Sequence, residues 1–259
     1  MLLPPPPPPL PGRVVDVVAG DYFFQAPDTI PAGLTTFRLR TVAGGHGAWI
    51  VRLAPGHTVA DLAAAGDVGR RTPWATNLGG PAFPAPHGTA NATMQLAPGT
   101  YAIICFVRGG PGAGAADVTH ARLGMYHQLV VVPSARAPEP PPRPDATVTM
   151  VDYAFRISAP LHAGRVVLRV VNAGKVQHEF RVQRVLPGHT AEESLAWTPS
   201  SKAPPPDEDF ATIATLPPGG AVTTTLDLAA GDYTLFCVPQ FAHGMKRALR
   251  VLPAGRPGA

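Results

Sequence analysis

At 259 residues, with 45% hydrophobic and 15% charged side chains, the chain is long enough for two ordinary domains, each with its own core. Thirty-three prolines and 27 glycines set among short valine-rich runs argue against a helical protein and for an all-β one with many turns. The net charge of +4 is scattered rather than gathered in a basic run interleaved with aromatics, so nucleic acid is not an expected partner.

Residues 1–12, MLLPPPPPPLPG, read as an extended polyproline spacer and lack the charged start and apolar h-region of a signal peptide. Such a spacer commonly separates a leader or anchor from a folded domain, which leaves a start further upstream, and membrane anchoring there, open. No apolar stretch reaches membrane-crossing length. Structure is expected from Arg13. RVVDVV, TTFRLRTV, AWIVRLA, TANATMQLA, TYAIICFV and HQLVVV follow as short β-branched or alternating runs, separated by APDTIPAG, GGHG, GGPAFPAPHG and APG. This is sandwich spacing. A short helix is expected after APGH, where Thr58 can cap the turn and Asp61 stands three residues on. SARAPEPPPRPDA, 134–146, is too rich in proline for a central strand and reads as a linker between domains at 13–133 and 147–253, with a tail at 254–259.

After the linker the pattern starts again. DYFF at 21–24 returns as DYAF at 152–155, FRLRTVAG as LRVVNAG, and APGHT at 54–58 as LPGHT at 186–190. His46 and Arg52 return as His178 and Arg184, and APGTYAIIC, ending at Cys105, returns as AAGDYTLFC, ending at Cys237. From His46 to Cys105 the offset is a constant 132 residues, and the helix recurs with Thr190 and Glu193 in the same capping spacing. The chain is a tandem duplication, so each copy can be used to read the other. Two cysteines, one per copy, make no disulfide framework and are not expected to pair.

Each copy puts a histidine before a central strand, a cysteine at the end of another strand and a methionine at the start of the last. In an antiparallel sandwich these strand ends can meet at one pole. Two imidazoles, a thiolate and a weak axial thioether suit copper in a one-electron site. In CVPQFAHGM, 237–245, Cys237, position 240 and Met245 keep the frame Cys-x2-His-x4-Met, with His178 upstream. Here the chain resembles the cupredoxins of the plastocyanin and pseudoazurin type, over nearly all of both copies. The resemblance implies two tandem Greek-key β-sandwich domains, each with a short helix and room for one copper ion.

Both copies depart from the frame. In the second, Gln240 stands where the loop histidine is expected, and His243 lies three residues further on. In the first, His120 and Met125 keep His-x4-Met, but FVRGGPGAGAADVT separates Cys105 from His120. The candidate ligands are therefore His46, Cys105, His120 and Met125 in the first copy, and His178, Cys237 and Met245 with Gln240 or His243 in the second. The first copy is favoured for copper. Against this stands a reading with no metal, in which both cysteines are core residues, both methionines plug the sandwich end and the ligand set has decayed to a structural or binding module. His57 and His189 in the repeated PGHT are expected as turn or cap residues, Arg52 and Arg184 as structural hydrogen-bonding groups, and Trp49, Trp74 and Trp197 as packing aromatics. No His-x-His pair, nucleophile elbow, phosphate loop or zinc-protease motif occurs, so an enzyme is not expected. The resulting expectation is a copper-binding protein that carries single electrons or holds copper, in the periplasm or otherwise outside the cytoplasm, with a redox protein as partner.

Overall fold

The strands form where the sequence alternates. In β1 (Arg13–Gly20), Val15, Val17 and Ala19 are buried while Val14 and Asp16 face solvent, the period of two that gives a sheet one wet and one dry side. The computed structural model describes residues 9–69, 71–85, 87–109, 118–198 and 200–254. Most of the expected spacer, the middle of the insert after Cys105 and most of the expected tail lie outside the described residues.

The first copy continues with β2 (Phe23–Gln25), β3 (Thr29–Pro31), β4 (Gly33–Thr41), β5 (Trp49–Leu53), α1 (Val59–Ala65), β6 (Ala75–Asn77), β7 (Pro81–Ala82), β8 (Ala90–Leu96), β9 (Gly99–Ile104) and β10 (Tyr126–Val132). The second has β11 (Ala146–Val151), β12 (Ala154–Ile157), β13 (Leu161–His162), β14 (Gly164–Asn172), β15 (His178–Val185), α2 (Ala191–Ala196), β16 (Asp207–Leu216), β17 (Ala221–Leu228), β18 (Gly231–Phe236) and β19 (Lys246–Leu252).

The first copy orders its strands β2-β1-β4-β8 in one sheet and β3-β10-β9-β5-β6 in the other; the second repeats this as β12-β11-β14-β17 and β13-β19-β18-β15-β16. Buried residues of both sheets, Phe37 and Leu39 from β4 and Ile50 and Ile103 from β5 and β9 among them, belong to one continuous hydrophobic core. Both expected helices are present, each behind a reciprocal cap: Thr58 accepts from the Asp61 N–H and Thr190 from the Glu193 N–H, while the acid of each pair reaches back to the cap backbone.

The copies are joined more closely than a proline-rich linker suggests. β17 pairs with β8 at Thr223 and Thr93, which fuses two four-stranded sets into one eight-stranded sheet. Beside that pair the Asn91 amide replaces a peptide group: its Nδ2 donates to the Thr225 carbonyl at 2.7 Å and its Oδ1 accepts from the Thr225 N–H at 2.9 Å. β7 crosses over to the edge of β16 through Ala82 and Pro81. Trp49 Nε1 donates to Thr215 Oγ1 at 2.9 Å and Asn77 Nδ2 to the Thr215 carbonyl at 2.7 Å, so Trp49 packs one copy against the other. Pro138–Pro141 form no strand and lie over the seam beside Met94, Arg169 and Val222. The last residues of the expected spacer are tied down as well: the Pro11 carbonyl accepts from Thr36 Oγ1 at 2.6 Å. No helix among the described residues is long and apolar enough to cross a membrane.

Candidate metal centre

Three strand ends meet at the pole of the first copy. His46 precedes β5, Cys105 follows β9, and Met125 precedes β10; all three are buried. The remaining donor, His120, lies at the end of the long insert and opens a short 3-10 turn, His120–Leu123. The described ends of the insert pair with each other and bring it back. Arg108 bridges Thr119, the Gly109 N–H donates to the Val118 carbonyl at 3.1 Å, and the His120 N–H donates to the Val107 carbonyl at 2.8 Å. The Ala121 N–H then donates to the Cys105 carbonyl at 2.9 Å, and the Cys105 N–H to the Met125 carbonyl at 3.1 Å. The glycine-rich length that weakens local preorganisation in sequence is thus recovered by backbone hydrogen bonds at both of its ends.

The donors converge. His46 Nδ1 and His120 Nδ1 are 3.1 Å apart, Cys105 Sγ is 3.5 Å from His120 Nδ1, and the three atoms all lie within 4.8 Å of one another. Among the described residues this is the one group of three or more histidine, cysteine or acidic side chains close enough to share a metal ion. His120 Nε2 donates to the Gly109 carbonyl at 2.8 Å, which fixes the tautomer and leaves the Nδ1 lone pair facing the sulfur. Burial pushes the Cys105 thiol up to about 11, against backbone N–H groups of Gly47 and Val107 that favour the thiolate. Burial also lowers the His46 pKa, reinforced by the neighbouring His120 ring, so the unprotonated imidazole is the favoured form. In the metal-free chain the His120 Nδ1 lone pair can accept a proton from the thiol or from His46; once the thiol proton is expelled, the sulfur and two ring nitrogens form a soft donor set in a dry pocket. One thiolate and two imidazoles fit a soft or borderline cation, copper foremost.

The second copy assembles less. Cys237 Sγ lies 3.7 Å from His178 Nδ1, and the Cys237 N–H donates to the Met245 carbonyl at 3.1 Å, as in the first copy. Cys237, His178 and Met245 are buried. Gln240 is half-buried in a 3-10 segment, Val238–His243, and its backbone N–H donates to the Cys237 carbonyl at 3.0 Å. His243 is exposed and stacks on Tyr153, ring centroids 4.5 Å apart, so its imidazole belongs to the surface. The other expectations find their places: His57 stacks on Trp74 at 4.2 Å, His189 meets Glu193 at 3.2 Å, Arg52 donates to the Pro98 carbonyl at 3.1 Å, and Arg184 pairs with Glu208.

One buried acid escapes a reading by ligand frame. Glu179 follows His178, donates its backbone N–H to Cys237 Sγ at 3.3 Å and accepts the Val238 N–H on its carboxylate at 3.2 Å. Its counterpart in the first copy is Gly47, which has no side chain to align. Burial pushes the Glu179 carboxyl up to about 6, with Arg181 opposing. An acid whose folded pKa is raised loses stability as pH climbs from its ordinary value near 4.5 through 6, and the loss is then constant; about 1.5 pKa units correspond to about 2 kcal/mol. Glu179→Gln keeps the acceptor for Val238 without the charge. Calorimetry of the metal-free variant is expected to give a midpoint about 4–8 °C above wild type at pH 8 and little difference at pH 4. Equal midpoints at pH 8 would remove the cost assigned to this carboxylate.

The strand order, with histidine, cysteine and methionine gathered at one pole, is that of the cupredoxin-like sandwich expected from the sequence. No protein-family model matches the chain and no curated protein matches it. Among solved structures it is similar to auracyanin A, a blue copper protein of Chloroflexus aurantiacus, at 21% identity over 46% of this chain and 98% of that one, with a TM-score of 0.30. An auracyanin of Roseiflexus castenholzii is similar at 21% identity over 43% of this chain and 100% of that one, with a TM-score of 0.28. A copper-containing nitrite reductase of Thermus scotoductus is similar at 13% identity over 93% of this chain and 61% of that one, with a TM-score of 0.25.

Proposed function

We propose that this protein binds one copper ion in its first copy, through His46 Nδ1, His120 Nδ1 and Cys105 Sγ with Met125 as the weak fourth donor, and uses it to carry single electrons or to hold copper. The observation that carries this reading is the approach of the three donor atoms to within 4.8 Å of one another in a pocket closed to water. Copper, when bound, supplies the one-electron redox couple; the chain supplies the rest. Strand ends and the paired ends of the insert hold the donors in place, which keeps rearrangement on electron transfer small. His46 is 1% and His120 5% exposed, which bars a substrate from direct approach and favours a carrier over an enzyme. The setting proposed is outside the cytoplasm, away from the thiols that compete for soft metals, with a redox protein as partner. For the second copy the metal-free structural reading is favoured, because His243 points to the surface and Gln240 offers only an amide.

Copper(II) titrated into the metal-free chain, followed by visible absorption and metal analysis, is the test. An intense absorption that saturates at one ion per chain is expected. A colourless protein with no fixed copper stoichiometry would refute the reading.

A further inference from the structure

In the repeated Asp-Tyr pair, residues 21–22 and 152–153, Asp21 is exposed and Tyr22 is partly buried against the hydrophobic core. In the second copy Asp152 Oδ1 accepts from His178 Nε2 at 2.7 Å, and Tyr153 meets the same imidazole edge-on, ring centroids 6.3 Å apart. In the first copy Asp21 Oδ1 lies 3.8 Å from His46 Nε2, and Tyr22 stands edge-on to His120 at 5.1 Å. That His46 Nε2 is buried and has no hydrogen-bond partner.

A third residue joins the pattern in both copies. Gly44 and Gly174 occupy corresponding places in TVAG and VNAG, just ahead of each histidine. A Cβ on Gly174 would sit 2.3 Å from Asp152 Oδ1 and 2.6 Å from His178 Nε2; one on Gly44 would sit 2.8 Å from His46 Nε2 and 3.3 Å from Asp21 Oδ1. In each copy, then, the side chain that would come between the carboxylate and the imidazole is missing. The Gly174 backbone is not left-handed, so the space rather than the backbone conformation accounts for glycine there; Gly44, at φ 66°, is left-handed, and its backbone favours glycine as well.

We infer that Asp21 and Asp152 are positioning residues for His46 and His178, reaching them through the gap left by Gly44 and Gly174. The carboxylate takes the Nε2 proton's hydrogen bond, fixes that tautomer and turns the Nδ1 lone pair toward the cysteine sulfur. An anionic partner on the far side of the ring also makes Nδ1 a stronger donor. In the second copy the bond is closed; in the first, His46 Nε2, among the described residues a buried imidazole nitrogen without a hydrogen bond, has Asp21 within reach of a small side-chain movement. The tautomer assignment needs no metal. The consequence for affinity in the first copy rests on the copper reading above.

Histidine 15N shifts of the metal-free full chain provide the test. The expected result is His178 as the Nε2–H tautomer, with an Nδ1 shift typical of an unprotonated nitrogen. Asp152→Ala and, independently, Gly174→Ala should move His178 toward a mixture of tautomers, whereas Asp152→Asn, whose amide oxygen still accepts, should retain the wild-type shifts. A purely structural Asp152, which also accepts the Lys175 N–H at 2.9 Å, would alter stability without moving the tautomer. Unchanged His178 shifts in both alanine variants overturn the inference. In the first copy Asp21→Ala is expected to weaken copper binding about 10- to 100-fold; wild-type affinity in that variant overturns the role of Asp21. If the wild-type chain binds no copper while the shifts respond as described, the copper reading falls and the positioning role of Asp152 stands.

Discussion

Cys105→Ser is expected to abolish the visible absorption of the copper-loaded protein and to leave no tight copper stoichiometry, while Cys237→Ser retains both. The sulfur is the strongest soft donor in the first copy, and a serine hydroxyl in its place stays protonated and binds copper poorly. Cys105 is also where the backbone has invested: N–H groups of Gly47 and Val107 point at its sulfur, and its own N–H and carbonyl tie β9 to Met125 and Ala121. A serine oxygen can accept the same N–H groups, so the metal-free variant should fold, its stability within about 1 kcal/mol of wild type. Visible spectra and metal analysis of the two variants side by side check this. Colour that survives Cys105→Ser but disappears in Cys237→Ser would move the centre to the second copy.

The apparent affinity for copper(II) is expected to rise about tenfold per pH unit from pH 6 to 9, about a thousandfold in all. Burial holds the Cys105 thiol up near 11, so in the free protein Sγ carries a proton throughout that range and loading must expel it. The sign follows from the thiolate fraction, which grows tenfold for each pH unit below the thiol's pKa. His46 adds little to the slope near neutrality, because burial lowers its pKa and leaves the ring unprotonated. Competition against a chelator of known proton linkage, at constant ionic strength, measures the slope. A flat profile would mean that the sulfur is not among the donors.

Much of this centre can be read from sequence because its residues recur. The constant offset from His46 to Cys105 puts histidine and cysteine at matching strand ends in both copies, and the folded chain has matching β5 and β15, β9 and β18. The capping residues Thr58 and Thr190 carry their own local signal, a hydroxyl three residues ahead of an acid, and both caps form. His120 is harder. A glycine-rich insert has no periodicity, and the pairing of its ends that returns the His120 imidazole to the sulfur rests on backbone groups that any residue possesses. Glu179 is invisible for a different reason: only the fold reveals that the residue after His178 is buried against the Cys237 sulfur. DYFF and DYAF mark the repeat, but the reach of Asp152 to His178 depends on the empty space at Gly174, which is a property of packing rather than of spacing. The covered edges of β8 and β17 are equally silent, since their alternation would suit an exposed edge as well.

That seam has a symmetry of its own. Asn91 and Thr223 are counterparts 132 residues apart, as are Thr93 and Thr225. Thr93 faces Thr223, and Asn91 bonds Thr225. Each strand therefore offers its partner the surface it receives, around a local two-fold axis near Ala92 and Thr224, as in an isologous homodimer contained within one chain. The duplication supplies internally the mate that a lone copy would have to find in another molecule, and it keeps two hydrogen-bonding edges from recruiting strangers.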